Sequence, residues 1–150
     1  MIRQEPIHIL LVEDNPDHAE MLQRLFRSYL VKNILCHVED GEQALAYLNR
    51  EGKYADEQRY PYPDLILLDL RLPKVDGFQV LEQIKSSSKH RHLVVVILTS
   101  SQEECDIQRA YQNYANSYLV KPLNPQELMD ALRYLGFYWL RWNVYAKAID

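Results

Sequence analysis

Short apolar runs of strand length recur along the chain, and each is continuous rather than alternating with polar residues. The runs occupy residues 7–12, 34–38, 65–68, 93–98 and 117–120. Segments with apolar residues every three to four positions separate them, at 17–30, 42–50, 78–86, 102–114 and from 125 onward. Continuous runs are typical of strands buried on both faces, and the intervening periodicity is typical of amphipathic helices. The pattern predicts an α/β fold, in which a doubly wound, five-stranded parallel sheet forms the middle of a three-layer sandwich.

Polar side chains stand at the carboxyl ends of four of the five predicted strands. In chain order they are Glu13, Asp14, Asp69, Thr99 and Lys121. Taken singly, each has a commoner structural explanation, because acids complement helix dipoles and Asp, Thr and Lys are frequent in caps and turns. Ligands of doubly wound sheets bind beyond the carboxyl ends of the strands. The joint position of these residues at that edge therefore favours a functional site.

The residue types at this edge indicate the chemistry. Three carboxylates in one cleft would repel each other unless a cation held them, and an all-oxygen set of ligands suits Mg²⁺ or Mn²⁺. A carboxylate nucleophile beside such a metal can carry out phosphoryl transfer. Asp69, which stands alone at the centre, is the predicted nucleophile. Lys121 can supply a positive charge to the transferred group, and Thr99 can donate a hydrogen bond.

The composition excludes several classes of function. With 17 basic and 21 acidic side chains, the net charge of −4 argues against a nucleic-acid partner. Cys36 and Cys105 form no CxxC pair, which indicates a reducing compartment, and no apolar run approaches the length of a membrane span. We therefore expect a cytoplasmic protein without a membrane partner. Its 150 residues fit a single domain, with a core over about 6–135 and a helical extension over about 136–150.

Four motifs resemble those of bacterial response-regulator receiver domains over about the first 135 residues. They are LLVEDNP at 10–16, DLILLDLRLPKVDG at 64–77, VVVILTSS at 94–101 and SYLVKP at 117–122. The resemblance implies a flavodoxin-like version of the predicted fold. It also implies a phosphorelay protein that accepts a phosphoryl group from a histidine kinase in a metal-dependent reaction. Such a protein is not an enzyme towards other molecules and catalyses only its own phosphorylation and dephosphorylation.

Carried over residue by residue, the resemblance assigns a role to each polar group. Asp69 would be the phosphoacceptor. Asp14 and Asp69 would ligate the metal directly, Glu13 would act through bound water, and the backbone carbonyl of Arg71 would complete the protein's share of the coordination.

The remaining assignments concern the residues that would sense the phosphate. Thr99 would contact it through its hydroxyl, and Lys121 would pair with it. The Lys121–Pro122 peptide bond would be cis. Tyr118 occupies the position of the switch aromatic of the family, and the alternative is that it is only a half-buried strand residue.

Within the family, the chain is most similar to the stand-alone receivers that accompany cyanobacterial and bacterial phytochrome histidine kinases. The shared features are an extended segment before the third strand, a DLxLPxxDG phrase and an aromatic tail. Arg71 departs from the smaller polar residue that is frequent there, and it bears on the lifetime of the phosphorylated state. Cys105 also departs, where an acid is frequent, and we interpret it as structural.

The chain from Pro125 onward predicts an extended aromatic helix. One apolar stripe should cover the core, and it consists of Leu128, Leu132, Leu135, Trp139 and Trp142. Further aromatic residues leave more apolar surface than one contact needs, which favours a homodimer. The predicted dimer surface consists of Tyr111, Tyr114, Tyr134, Phe137, Tyr138 and Tyr145. The alternative is a tail that folds back onto its own domain.

No output domain fits into what remains after Val144, so we expect the signal to leave by protein contact. Three other functions are alternatives to this one. A phosphatase of the haloacid dehalogenase type needs a second acid where Arg71 stands, and a flavin or nucleotide binder needs a phosphate cradle where the chain has acids. A receiver-like scaffold that works without phosphorylation remains the alternative function.

Overall fold

A computed structural model describes residues 5–146 as one five-stranded parallel sheet with helices on both faces. The strands are β1 (Ile7–Val12), β2 (Asn33–Val38), β3 (Leu65–Leu68), β4 (Val94–Thr99) and β5 (Ser117–Val120), and their order in the sheet is β2-β1-β3-β4-β5. The helices are α1 (Pro16–Ser28), α2 (Gly41–Leu48), α3 (Gly77–Ser86), α4 (Glu104–Gln112) and α5 (Pro125–Gly136). The doubly wound, flavodoxin-like α/β prediction is confirmed.

The sheet separates two apolar cores. Alternate residues of the central strands point to opposite faces, as the period of two in an extended chain requires. Leu10, Ile66 and Ile97 join the core under α2 and α3, whereas Leu11 and Leu67 join the core under α1 and α5. The expectation that strands are buried on both faces holds for β1, β3 and β4. It is wrong for the edge strands β2 and β5, most of whose residues are partly exposed.

The first and last helices begin with the same device. The side chain of Asn15 accepts hydrogen bonds from the backbone N–H groups of the first turn of α1, and Asn124 does the same at α5. In each helix a proline follows at the first position, where a missing N–H has no intrahelical partner to lose. Each cap fixes the point at which the chain leaves a strand, β1 or β5, and begins a helix.

The segment before β3 is an ordered loop around a short 3₁₀ helix, Gly52–Ala55. Tyr47 and Tyr54 are buried, and their ring centroids lie 5.2 Å apart. The Tyr47 hydroxyl donates to the Pro61 carbonyl over 2.6 Å, and Arg50 donates to the carbonyl of Tyr60. These contacts hold the loop against the domain ahead of β3.

The C-terminal helix changes from α-helical to π-helical after Gly136, so the predicted apolar stripe is wrong beyond that residue. Residues Phe137–Trp142 form a π-helical turn, whose hydrogen bonds span five residues instead of four. After Leu135 and Gly136 the next buried position is consequently Leu140, and Trp142 is 61% exposed. The prediction that Trp142 covers the core is therefore wrong, because it assumed an uninterrupted α-helical period.

The last described residues return to the domain. Tyr145 is half-buried against the core under α1 and α5, and its hydroxyl donates to the Trp139 carbonyl over 2.7 Å. Its position fits the alternative of a tail folded back, so we remove Tyr145 from the predicted dimer surface. Within residues 5–146, no helix combines the length and the apolar character that a membrane span requires.

Candidate functional site

The parallel register brings the predicted polar residues to one edge of the sheet. Val12 pairs with Leu68 and Leu68 with Ile97, so β1 and β3 end level and the residues after them lie side by side. Carboxylate oxygens of Glu13, Asp14 and Asp69 all lie within 4.8 Å of one another. The structure thus assembles the three predicted acids into one cluster.

Lys121 follows β5 and reaches across the sheet edge into this cluster. Its Nζ lies 2.7 Å from Glu13 Oε2 and 3.2 Å from Asp69 Oδ2. All three residues are buried, so the ammonium and the two carboxylates stabilise each other away from water. His18 completes the contacts, since its Nδ1 lies 3.1 Å from the same ammonium. Sequence reasoning assigned no role to His18.

The ammonium of Lys121 does not fully offset the negative charge of the buried carboxylates. Burial raises the pKa of Glu13 to about 7, Lys121 opposes that rise, and the nearby Asp69 adds to it. A carboxylate with a raised pKa beside two further acids is a group that a second cation stabilises in its ionised form. The donor set is entirely oxygen, which is the set that Mg²⁺ and Mn²⁺ prefer.

Thr99 ends β4 as a fully buried residue, and its hydroxyl has no hydrogen-bond partner among residues 5–146. A buried polar group without a partner costs about 1–3 kcal/mol. The Thr99 hydroxyl is therefore available to donate a hydrogen bond to a ligand at the carboxyl edge of the sheet. The predicted role of Thr99 in contacting a phosphate remains a prediction.

The backbone around Asp69 is packed against the start of α3 through Gly77. A Cβ at Gly77 would lie 2.2 Å from the Asp69 carbonyl oxygen and 2.5 Å from the Leu70 Cα. Only glycine allows this approach. The Gly77 N–H donates to the Leu70 carbonyl over 3.0 Å, and Asp76 caps the helix with Gln79 in a reciprocal pair. The close packing of Gly77 therefore holds the turn after β3, which carries Asp69, in one position.

Arg71 and Tyr118 take part in contacts beside the acid cluster. The Arg71 N–H donates to Asp69 Oδ1 over 3.2 Å, while its guanidinium donates to Asp106 Oδ2 over 2.7 Å. Tyr118 is half-buried, and its hydroxyl donates to the Ser101 carbonyl over 2.9 Å. Sequence reasoning missed Asp106 and Ser101. The one available signal was an acid on the inward face of the predicted fourth helix.

The Lys121–Pro122 peptide bond is trans, as is every peptide bond among the described residues. The predicted cis bond is therefore wrong for this structure. A trans bond before proline is intrinsically favoured by about 0.5–1 kcal/mol. The Lys121 ammonium reaches Glu13 and Asp69 from the trans backbone.

Comparison with known proteins shows the family. Residues 9–133 match the model of the response regulator receiver domain. The chain belongs to the response regulator receiver family. The match extends from β1 into α5 and includes the acid cluster, Thr99 and Lys121, so the receiver fold accounts for every strand of the sheet.

Several relatives resemble this receiver over nearly its full length. The probable methanogenesis regulatory protein FilR2 of Methanothrix harundinacea is 44% identical over 93% of this chain and 88% of its own. Response regulator Rcp1 of Synechocystis is 36% identical over 90% of each chain, and its Mn²⁺-bound crystal structure superimposes with a TM-score of 0.90 over 95% of this chain and 100% of that chain. The phosphorylated cyanobacterial phytochrome response regulator RcpA gives the same TM-score at 36% identity and the same coverage.

Proposed function

We propose that this receiver accepts a phosphoryl group on Asp69 from a histidine kinase and passes the signal on by protein contact. One observation carries the proposal. Three carboxylates meet within 4.8 Å at the carboxyl edge of the sheet, and a buried lysine contacts two of them. This combination provides a nucleophile, a metal site and a fixed positive charge, which together are what phosphoryl transfer from a phosphohistidine requires.

The transfer exchanges one bond for another. An Asp69 carboxylate oxygen attacks the phosphorus, the O–P bond forms, and the N–P bond of the phosphohistidine breaks. The imidazole leaves with the electron pair of that bond and takes up a proton. Lys121, already 3.2 Å from Asp69, offsets charge on the phosphoryl oxygens, and the Thr99 hydroxyl donates a hydrogen bond to one of them.

The acid cluster fits a divalent cation, Mg²⁺ or Mn²⁺. Asp14 and Asp69 are the proposed direct ligands, Glu13 acts through water, and the Arg71 carbonyl supplies a further oxygen. When bound, the ion neutralises the acids and binds phosphoryl oxygens. The fit rests on the all-oxygen donor set and on the raised pKa of Glu13, and the Mn²⁺-bound form of Rcp1 supports it.

The relatives support a narrower assignment of the partner. Among the solved relatives, RcpA is a cyanobacterial phytochrome response regulator, and RtBRR, 43% identical to this chain, is a bacteriophytochrome response regulator. We infer that the kinase of this receiver is a phytochrome-type sensor kinase in the cytoplasm. The net charge of −4 argues for a protein target rather than a nucleic acid. Residues 1–150 are proposed to act as a single domain.

A homodimer is the second part of the proposal. Tyr134, Phe137, Tyr138 and Trp142 are exposed large apolar or aromatic side chains on α5 and the π-helical turn, and Tyr111 and Tyr114 add to this set at the end of α4. Monomeric proteins rarely expose this many large aromatic residues together. A second copy of the chain that pairs through the same surface would cover them.

Intact-protein mass spectrometry after exposure to acetyl phosphate tests the phosphoacceptor function. The wild-type protein should gain one phosphoryl group in the presence of Mg²⁺ and none in the presence of a chelator. The variant Asp69→Asn should gain none under either condition. Asp64→Asn, which also lies beside β3 but at its opposite end, is the matched control and should behave as the wild type does. A wild type without any adduct would favour the phosphorylation-independent scaffold.

A further inference from the structure

Helix α4 is attached to the domain by few apolar contacts. Of its residues Glu104–Gln112, only Asp106 and Ala110 are buried. Arg109 of α4 adds to the attachment, since its guanidinium lies 4.1 Å from the centroid of the Phe78 ring in α3. The buried carboxylate of Asp106 is therefore a large part of what holds the first turn of α4, and its partners decide whether that turn stays in place.

Among the described residues, the carboxylate of Asp106 has two hydrogen-bond partners, and both contact the same oxygen. Arg71 Nη2 lies 2.7 Å from Asp106 Oδ2, and Ser101 Oγ lies 2.6 Å from it. Ser101 also accepts the Tyr118 hydroxyl at its backbone carbonyl over 2.9 Å. Arg71, in the turn after β3, is therefore linked to Asp106 of α4. Ser101, in the turn after β4, links Asp106 in turn to Tyr118 of β5.

Arg71 belongs at the same time to the surroundings of Asp69. It follows Asp69 by two positions in the chain, and its N–H donates to Asp69 Oδ1 over 3.2 Å. Its side chain is 68% exposed, so packing does not hold the guanidinium in one place. Among the described residues, the only carboxylate that this guanidinium contacts is that of Asp106.

We propose that Arg71 binds the phosphoryl group on Asp69, and that Asp106 is the counter-ion from which the phosphoryl group draws it. The inference rests on the proposed function of Asp69. A phosphoryl group carries a charge of about −1.5 to −2 and three strong acceptor oxygens, and a guanidinium pairs with two of them at once. The exchange makes and breaks hydrogen bonds only. Asp106 is thus a positioning residue, and Arg71 is the group that contacts the phosphoryl oxygens.

The exchange has a consequence for α4. Without Arg71, Asp106 keeps the Ser101 hydroxyl as its one partner among the described residues, and a largely buried carboxylate is less stable once it has lost its cation. The first turn of α4 then loosens, together with the Ser101 carbonyl to which Tyr118 donates. Phosphorylation at Asp69 is in this way converted into a change of the surface formed by α4 and β5.

A double-mutant cycle tests the exchange on the full-length protein. Acetyl phosphate and Mg²⁺ are the probe, and the measured quantity is the steady-state ratio of phosphorylated to free protein. Asp106→Asn removes the competing charge and should raise the ratio about twofold to fivefold, the range for a partly exposed ion pair. In an Arg71→Gln background the same substitution should have no effect. Glu20→Gln, which breaks the exposed Arg24–Glu20 pair of α1, is the matched control and should leave the ratio unchanged.

Hydrogen exchange of α4 provides the second measurement. Phosphorylation should speed exchange over residues 101–112 in the wild type, and Arg71→Gln should show the faster exchange before any phosphorylation. Two results would overturn the exchange: a change in the phosphorylated fraction by Asp106→Asn that is equally large with and without Arg71, or an unchanged hydrogen-exchange rate of α4 in Arg71→Gln. In either case a phosphoryl adduct on the wild type would still support Asp69 as the phosphoacceptor. A wild type that gains no phosphoryl group would overturn the phosphoacceptor function and this inference together.

Discussion

The ammonium group of Lys121 offsets two carboxylates that burial alone would destabilise. It contacts Glu13 over 2.7 Å and Asp69 over 3.2 Å, and all three side chains are buried. Removing one member of a buried charge cluster leaves the others without compensation, which is more costly than the net stabilisation by the intact pair. The same geometry makes a bound divalent cation a partial substitute for the missing ammonium.

We therefore predict that Lys121→Met lowers the free energy of unfolding by about 3 kcal/mol in the presence of a chelator. Part of this loss should return when Mg²⁺ is added, because the ion binds the folded state and neutralises the same acids. Urea unfolding with and without Mg²⁺ measures both effects. Lys89→Met, at an exposed position, is the control, and a loss that Mg²⁺ does not reduce would contradict the prediction.

Gly77 is a second residue on which the site depends. A Cβ there would lie 2.2 Å from the Asp69 carbonyl oxygen, so Gly77→Ala must displace the backbone of Asp69. We expect a loss of about 3 kcal/mol in stability and at least a tenfold slower reaction with acetyl phosphate. Gly52→Ala is the matched control, since Gly52 has φ of 57° and open space around it. It should cost about 1–2 kcal/mol and leave the reaction rate unchanged.

The residues of the site could be predicted from sequence where they end strands. Asp14, Asp69 and Lys121 follow directly from the positions of the predicted strands and the rule that parallel strands end at one edge. The contacts of Asp106 and His18 were missed, because both residues lie on helices whose rotation about their axes depends on packing, and an acid on the inward face of the fourth helix was the one signal for Asp106. The trans bond before Pro122 follows the intrinsic preference of X–Pro bonds, whereas the predicted cis bond was implied by the family resemblance alone.

At the scale of secondary structure elements, the bounds of the strands and helices could be predicted to within a few residues. The change from α-helical to π-helical winding after α5 could not. The stripe of α5 is correct as far as Leu135, since the helical period of 3.6 residues holds up to that point. The π-helical turn then moves Leu140 into the core. Gly136, at the junction, lies close to the ring of Tyr29 in the segment after α1. Such a contact between distant segments has no signature in the periodicity of either one.

The turn between α3 and β4 gives the protein a pH-dependent stability. His90 is buried beside Tyr62, and its pKa is lowered from its usual 6.5, mainly by burial and further by Lys89 and His92. The unfolded chain binds protons more readily than the folded one, so the contribution of His90 is complete above the unfolded pKa. It is lost as the pH falls from 6.5 towards the lowered pKa of the folded state.

We expect the wild type to lose stability more steeply than His90→Gln as the pH falls from about 7 to about 5. Chemical unfolding at several pH values, with both proteins in the same buffers, measures the difference. Arg91→Gln, at an exposed position in the same turn, serves as the control. Equal slopes for the wild type and His90→Gln would contradict the assignment.

At the scale of the whole molecule, the exposed aromatic surface of α5 and the π-helical turn predicts self-association. Tyr134 is 76% exposed and Phe137 51%, while Tyr145 packs on its own domain. Sedimentation velocity at high micromolar concentration should give the mass of a dimer, and Phe137→Ser should shift it to that of a monomer. Leu30→Ser, a fully exposed apolar residue elsewhere, should not. A monomeric wild type would contradict the dimer.

The central claim is that Asp69 itself carries the phosphoryl group. The most direct test is to phosphorylate the protein with acetyl phosphate and Mg²⁺, reduce the acyl phosphate with borohydride, and sequence the peptides by mass spectrometry. Reduction converts a phosphorylated aspartate to homoserine, so the modified position can be read from the sequence. We predict homoserine at position 69 alone. Homoserine at position 14 instead of 69, or at neither position, would contradict the account.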